Sequence, residues 1–211
     1  MLLYTVGDSF TYGDELPDPK TQAWPVLLAE KLGYELCNRG SSGVGNNYIV
    51  KSIIKDIPRV QPDLVVVAWT SCGRMEFADE SDDPVFDIWP YCQRRWHRPL
   101  PYRDTLVRYI TKYNNPMHQY RSWLRLVVLL QDYLKLRNIN YRFVSAFDNQ
   151  WMSRDYLHLS REYADQIDVQ QFVGWPDNGM IEWASAYPIA PGGHPLEQGH
   201  SAIAEKIFNS L

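Results

Sequence analysis

Leu64-Val65-Val66-Val67-Ala68-Trp69 is the stretch that decides the fold of this chain, because it is apolar at every position. A strand with one face in water alternates apolar and polar residues, whereas a strand of a parallel sheet covered by helices on both faces is apolar throughout. The stretch therefore predicts a central strand of a parallel sheet. Helices are expected to cover both of its faces.

Outward from this strand, further apolar runs alternate with stretches of helical spacing. Strands are predicted at residues 2–6, 34–38 and 141–146, and helices at residues 21–32, 120–137 and 196–208 and around residues 49–57, where Pro58 should end the helix. Such alternation indicates an α/β fold with a doubly wound, mostly parallel sheet. With 211 residues, 45% of them hydrophobic, the chain fits a single domain, residues 1–211, with a sizeable core.

The composition argues against several classes of protein. The formal net charge is -4 and no long basic run is present, so nucleic acid is not an expected partner. Cys37, Cys72 and Cys92 are an odd number without a CxxC pair, which disfavours a disulfide framework and a structural zinc site. Neither a signal peptide nor a membrane span is visible. We therefore expect a cytoplasmic protein that needs no metal, no cofactor and no membrane.

Two stretches are too long for plain connections between strands and helices. Residues of about 76–119 and about 149–193 are therefore predicted to be insertions over the active edge of the sheet. Residues 89–123, which begin in the first stretch and end in the helix predicted after it, mix aromatic and basic residues in a way that suits stacking on sugar rings or planar ligands. The alternative that we favour is that these aromatic side chains anchor the insertion to the domain. The mixture comprises Trp89, Tyr91, Trp96, Tyr102, Tyr109, Tyr113, Tyr120 and Trp123 with Arg94, Arg95, Arg98 and Arg103.

Two short motifs near opposite ends of the chain carry the prediction of function. Gly7-Asp8-Ser9-Phe10 follows the first predicted strand, which delivers Ser9 to the carboxyl edge of the sheet, where open α/β folds bind ligands. Gly193-His194-Pro195 precedes the last helix. A serine hydroxyl is a weak nucleophile at neutral pH until an adjacent base takes its proton, and histidine is the commonest base. Without such a partner, Ser9 would only cap the helix or turn after the strand.

In these motifs the chain resembles the SGNH (GDSL-type) hydrolases. Gly7-Asp8-Ser9-Phe10 matches the family's nucleophile block, residues 38–43 (Asn-Arg-Gly-Ser-Ser-Gly) match its glycine block, and His194-Pro195 match its terminal histidine block, in the family's order. The resemblance implies a flavodoxin-like three-layer α/β/α sandwich. The form of the nucleophile block, with Ala23-Trp24-Pro25 and the late pattern Gly-His-Pro-x-x-x-Gly-His, is also similar to small uncharacterised hydrolase-like proteins of tailed phages.

The resemblance implies roles for individual residues. Ser9 would attack the carbonyl carbon of an ester, and His194 would take its proton and later give it to the leaving alcohol. The backbone amides of Ser9 and Gly43 would hold the oxygen of the tetrahedral intermediate. The family's third donor is an asparagine after the third strand, which this chain lacks, so that Ser71 or Asn46 would have to supply it.

The chain departs from the family again at the acid that orients the histidine. The family has an aspartate three residues before the catalytic histidine, where this chain has Pro191. The imidazole would then be oriented by a backbone carbonyl or by an acid from elsewhere, such as Asp177.

Three other polar residues have expected roles. Asp8 should hydrogen-bond the loop around the nucleophile. Arg74 could orient a substrate, although an exposed ion pair is the simpler expectation. His200 competes with His194 for the role of base, but we expect it to pack or cap.

Two functions from different classes fit this sequence. The first is a serine ester hydrolase that acts on a small-molecule or carbohydrate ester. The second is a catalytically weakened binding module or virion-associated protein of the same fold, because the missing asparagine and aspartate would permit a loss of activity. A nucleotide-binding protein is disfavoured, because no GxGxxG register follows the first strand. For the enzyme, Ser9 and His194 should lie within hydrogen-bond reach, or about one water apart.

Overall fold

The computed structural model describes residues 1–78, 84–88, 108, 112, 115–147 and 154–211. Its strands are β1 (Leu2–Gly7), β2 (Glu35–Gly40), β3 (Leu64–Trp69), β4 (Met75–Ala78), β5 (Pro84–Ile88), β6 (Asn140–Ser145) and β7 (Phe172–Val173). One sheet has the order β2-β1-β3-β6-β7, and all of its neighbouring strands are parallel, while β4 and β5 form a separate antiparallel pair. The predicted doubly wound parallel sheet is confirmed.

The described helices are α1 (Ser9–Tyr12), α2 (Pro19–Gln22), α3 (Trp24–Leu32), α4 (Asn46–Val60), α5 (Pro116–Leu136), α6 (Arg154–His158), α7 (Arg161–Ala164), α8 (Met180–Ala184) and α9 (Glu197–Phe208). The helices α3, α4, α5 and α9 lie close to the four predicted ones, although α3 begins at Trp24 and not at residue 21. The other five were not predicted, and each has only 4 or 5 residues. The expectation that Pro58 ends its helix is wrong: α4 continues to Val60 and ends at Gln61, which has φ 49°. A proline so close to the end removes one helix hydrogen bond without forcing the last residues out of the helix.

None of the described helices combines the length and the apolar character that a membrane span requires.

Helices cover both faces of the sheet, and β3 contributes alternate residues to two halves of the core. Val65, Val67 and Trp69 pack on the face covered by α4 and α5. The other three residues of β3 pack on the face covered by α3, α8 and α9. Every residue of β3 is buried, which explains its unbroken apolar sequence. The arrangement is the three-layer α/β/α sandwich expected from the sequence.

Part of the predicted insertions belongs to the sheet. The stretch 149–193 contains β7, which pairs in parallel with β6 at the edge of the sheet. The sequence reading missed β7 because the strand has only 2 residues, too few to show the alternation that identifies a strand. The described part of the stretch 76–119 contains β4, β5 and the start of α5.

Most of the aromatic and basic mixture lies outside the described residues, at positions 89–107, 109–111 and 113–114. Tyr120 and Trp123, at the end of the mixture, lie on α5, are each 3% exposed and pack in the core. For these two side chains the anchoring alternative is correct, because they are inside the protein and not on a surface that a ligand could reach.

The carboxyl edge of the sheet has its crevice between β1 and β3. The strand order reverses there, since β2 lies on one side of β1 and β3 lies on the other. Ligands of open α/β sheets bind outside the strand ends at such a reversal. Ser9 follows β1 and Thr70 follows β3, so the fold places both residues at this crevice.

Candidate active site

Ser9 is the first residue of α1, close after the end of β1. Asp8 caps this short helix, because its carboxylate accepts a hydrogen bond from the backbone N–H of Phe10 at 3.0 Å. Gly13 ends the helix in a left-handed conformation, and its N–H donates to the Ser9 carbonyl. Ser9 is 5% exposed, and its hydroxyl makes no hydrogen bond to another described residue.

Asp8 connects the loop that carries Ser9 to the loops after two other strands. The residue is fully buried, and one of its oxygens accepts a hydrogen bond from the Thr70 hydroxyl at 2.6 Å and lies 3.3 Å from the Arg74 guanidinium. Arg74 also donates to the Val44 carbonyl at 2.8 Å. The expectation of an exposed ion pair for Arg74 is wrong, because its side chain is 9% exposed and points inward to Asp8.

The glycine loop after β2 brings a second backbone amide to this edge. The N–H of Ser41 donates to the Gly7 carbonyl at 3.0 Å, which connects the loop to the end of β1. Gly43 has φ 80°, a conformation that L side chains rarely adopt, and a Cβ at this position would meet open space. The N–H groups of Ser9 and Gly43 donate to no other described residue. Both can therefore bind an oxygen atom of a ligand.

Asn46 and Ser71, the two candidates for a third donor, differ in how far their side chains are already engaged. The amide oxygen of Asn46 accepts from the Thr70 N–H at 3.1 Å, and its amide nitrogen lies 3.2 Å from the Thr70 carbonyl and 3.4 Å from the Ser71 carbonyl. This side chain therefore joins α4 to the end of β3. The Ser71 oxygen accepts from the Gly73 N–H at 3.3 Å, which leaves its hydroxyl hydrogen able to donate.

His194 reaches the same site from the other end of the chain. The loop that carries it is closed by a backbone hydrogen bond from Ala190 to the His194 carbonyl at 2.9 Å. Its imidazole lies edge-on to the Phe10 ring with 5.7 Å between the centroids, and the residue is 8% exposed. The histidine thus packs against the residue that follows Ser9. Among the described residues, no direct hydrogen bond joins Ser9 to His194.

Two carboxylates flank the imidazole, and neither was predicted from the sequence. Glu15 Oε2 lies 2.5 Å from Nδ1 of His194, whereas Asp14 Oδ2 lies 3.9 Å from Nε2 and accepts a hydrogen bond from the Ser42 hydroxyl. The hydrogen bond to His194 is the main cause that lowers the pKa of Glu15, so this carboxyl group is ionised at neutral pH. A signal was available in Gly13-Asp14-Glu15, which places two acids directly after the short helix that begins at Ser9.

Asp177 and His200, the other candidates that the sequence offers, lie in other surroundings. Asp177 lines an open cleft of about 680 Å³ after the end of β7, together with Trp175 and Pro176. His200 is fully buried on α9, and its Nδ1 accepts a hydrogen bond from the Trp24 N–H at 3.1 Å. Burial lowers the pKa of His200 to about 4.

Within the described ranges, no group of three His, Cys, Asp or Glu side chains could hold a metal ion.

Solved structures of similar shape include hydrolases of one fold. A protein described as lipolytic and of the G-D-S-L family, from Desulfitobacterium hafniense DCB-2, matches over 100% of this chain and 99% of its own, with a TM-score of 0.57 and 11% identity. The psychrotrophic esterase EstA from Pseudoalteromonas sp. matches over 99% of this chain and 95% of its own, with a TM-score of 0.55 and 14% identity. A two-domain esterase (CEX) active on acetylated mannans matches over 100% of this chain and 48% of its own, with a TM-score of 0.52 and 14% identity.

At these identities the likeness shows a shared fold, which is that of the GDSL-type hydrolases. None of the three proteins is described as a phage protein, so the phage-type resemblance stays a prediction.

Comparison at the level of sequence gives a family without an assigned activity. No curated protein matches the chain. A family model described as "Family of unknown function (DUF6071)" matches residues 14–211, a range that includes Glu15 and His194 and begins after Ser9. Because this match covers nearly the whole chain, the protein, which has the fold of GDSL-type hydrolases, belongs to the family DUF6071.

Proposed function

We propose that the protein is a serine ester hydrolase in which Ser9 is the nucleophile and His194 is the base. The observation that carries the proposal is the position of the imidazole, which packs against the residue after Ser9 while its Nδ1 meets a carboxylate. A histidine held by a carboxylate beside a serine is the arrangement with which hydrolases of unrelated folds activate the serine. Ser9 follows β1 at the point where the strand order of the sheet reverses, and such folds bind small molecules at that point.

The reaction that this arrangement supports has two halves. Ser9 Oγ attacks the ester carbonyl carbon while its proton passes to His194 Nε2, and the tetrahedral intermediate collapses as Nε2 gives that proton to the leaving alcohol. Water then enters, loses a proton to Nε2 and attacks the acyl group on Ser9. Collapse of the second intermediate releases the carboxylic acid and returns the proton to the Ser9 oxygen, so that the enzyme is restored.

The negative oxygen of each intermediate needs donors that are already in position. The N–H groups of Ser9 and Gly43 suit this role, because neither donates to another described residue. For the third donor we favour Ser71 over Asn46. The Asn46 amide is already bonded to backbone groups at the end of β3, whereas the Ser71 hydroxyl hydrogen can still donate.

The substrate class that we propose is a small-molecule or carbohydrate ester. The fold is shared with esterases, one of which is active on acetylated mannans. Acetylated sugars and short acyl esters are therefore the first substrates to test.

The test combines covalent labelling with turnover. A fluorophosphonate probe, followed by peptide mass spectrometry, should modify Ser9, and p-nitrophenyl acetate and acetylated sugars should be hydrolysed by the wild type but not by Ser9→Ala. Ser201→Ala changes an exposed serine on α9 and should behave like the wild type. Equal background rates for the wild type and Ser9→Ala, with no labelling of Ser9, would overturn the proposal.

The second candidate is a binding module or virion-associated protein that has lost catalysis. One observation favours it, namely that no direct hydrogen bond joins Ser9 to His194 among the described residues. Catalytic hydrogen bonds of free enzymes are often long and tighten only when substrate binds, so this observation does not outweigh the placement of the histidine. Retention of an acetylated sugar by a protein that neither hydrolyses it nor reacts with the probe would support the second candidate.

A further inference from the structure

The acid that the resemblance places before the histidine is missing, and the structure supplies a carboxylate from the opposite end of the chain. Glu15 Oε2 lies 2.5 Å from Nδ1 of His194, and Glu15 Oε1 accepts a hydrogen bond from the Gly192 N–H at 2.9 Å. Both carboxylate oxygens are therefore occupied by the loop that carries the histidine. A carboxylate held by two hydrogen bonds has a fixed orientation, and it therefore fixes the orientation of the imidazole ring.

Gly192 provides the space for this carboxylate. A Cβ at this position would lie 2.1 Å from Glu15 Oε2 and 2.6 Å from the carboxyl carbon. Any other residue at this position would force the Glu15 side chain to move, because real Cβ atoms do not approach other heavy atoms so closely. The sequence Pro191-Gly192-Gly193 thus lacks the acid of the related hydrolases but has the gap into which an acid from another loop fits.

The backbone of Glu15 also has an unusual conformation. Its φ is 66°, in the left-handed region that residues other than glycine, asparagine and aspartate seldom adopt. The turn that contains it begins where Gly13 and Asp14 donate to the Ser9 carbonyl, at 2.8 and 3.0 Å. One short turn therefore holds the nucleophile at its start and the carboxylate at its end. Backbone strain of this kind is retained where the surroundings require the side chain in one place.

The charge of Glu15 decides which nitrogen of the imidazole is left for Ser9. An ionised carboxylate can only accept, so Nδ1 must carry the hydrogen of this bond. The neutral ring then presents the lone pair of Nε2, which is the form that can take a proton from a serine. The hydrogen bond with His194 lowers the pKa of Glu15, which keeps the carboxylate ionised at neutral pH.

Asp14 does not compete for this role. Its carboxylate lies 3.9 Å from Nε2, outside hydrogen-bond range, and already accepts from the Ser42 hydroxyl. Of the two acids, only Glu15 lies within hydrogen-bond distance of an imidazole nitrogen of His194.

We propose that Glu15 is the positioning residue of this site, taking the part of the acid that the related hydrolases have before their histidine, and that Gly192 is required to admit it. The inference rests on the proposed hydrolase. It assigns the third member of the triad to the loop of the nucleophile and predicts that residues 15 and 192 act as one unit.

The first test compares Glu15→Gln with the wild type on a short acyl ester. Loss of the acid in a serine triad costs up to about 10,000-fold in kcat, so we expect kcat to fall by roughly 100- to 10,000-fold while KM changes less than about threefold. Glu15→Asp should recover part of the loss.

Gly192→Ala gives a second route to the same perturbation. We expect the same fall in kcat, and the double variant with Glu15→Gln should be no slower than Glu15→Gln alone, because the alanine acts by moving a carboxylate that is no longer present. Ser201→Ala, at an exposed position of α9, is the control and should keep the wild-type kcat. Multiplicative losses in the double variant would contradict the proposed unit.

A readout without turnover separates the two proposals. The ¹⁵N spectrum of the imidazoles at neutral pH should show the hydrogen of His194 on Nδ1 in the wild type, and this preference should be lost in Glu15→Gln. If Ser9 is labelled and turns over ester but Glu15→Gln keeps more than half of the wild-type kcat, the inference is wrong while the hydrolase stands. A His194 hydrogen on Nε2 in the wild type overturns the inference whether or not turnover is found.

Discussion

Asp8→Ala is the substitution whose cost can be worked out most directly from the structure. Asp8 is fully buried and accepts hydrogen bonds from the Thr70 hydroxyl at 2.6 Å and the Phe10 N–H at 3.0 Å. It also faces the Arg74 guanidinium at 3.3 Å, on a side chain that is 9% exposed. The alanine would leave the cation, the hydroxyl and the amide without this acceptor.

Removal of one partner from a buried ion pair costs about 3–5 kcal/mol, because the remaining charge stays desolvated. Proteins of 150–250 residues lose about 2–4 °C in Tm for each kcal/mol. For this chain we therefore expect Tm to fall by roughly 6–20 °C. Asp8→Asn keeps an oxygen for the Phe10 N–H but lacks the charge, so its loss should be smaller, about 1–3 kcal/mol.

The assay is urea unfolding followed by circular dichroism, together with a thermal scan. Asp132→Ala, which removes an exposed carboxylate on α5, is the control and should change the free energy of unfolding by less than about 0.5 kcal/mol. If Asp8→Ala loses no more stability than this control, the buried network does not hold the loop that carries Ser9 as we describe.

Two further predictions concern packing and pH. Gly40→Ala should destabilise the protein by about 1–3 kcal/mol in urea unfolding, because its Cβ would lie 2.6 Å from the backbone nitrogen of Tyr12. Gly73→Ala, whose Cβ would make ordinary contacts, should leave the stability unchanged. Equal urea midpoints for the two variants would refute this reasoning. His200 has its pKa lowered to about 4 by burial, so the unfolded chain binds a proton that the folded chain does not, and stability should fall as pH decreases from about 6.5 to 4. In His200→Asn this part of the pH dependence should be absent from unfolding curves, and an unchanged slope would count against it.

Much of the architecture was predictable because it depends on the pattern of single segments. The unbroken apolar run of β3 requires cover on both faces, and the helical spacing before and after it supplies that cover. The short strand β7 was missed because Phe172–Val173 carries no pattern of its own and becomes a strand only by pairing with β6. The end of α4 was misplaced because a proline near the end of a helix is tolerated when the rest of the helix packs against the sheet.

The sequence by itself determined the fold class and made Ser9 a candidate, because a strand delivers the residue that follows it to one edge of a sheet, whatever the rest of the chain does. His194 was a candidate because the end of the chain resembles the histidine block of the SGNH hydrolases. Only the tertiary structure decided which groups surround the histidine. The contact of Glu15 with Nδ1 and the space at Gly192 join two loops from opposite ends of the chain. Each loop looks like an ordinary turn in sequence, since a hydrogen bond between distant residues leaves no periodic pattern along the chain.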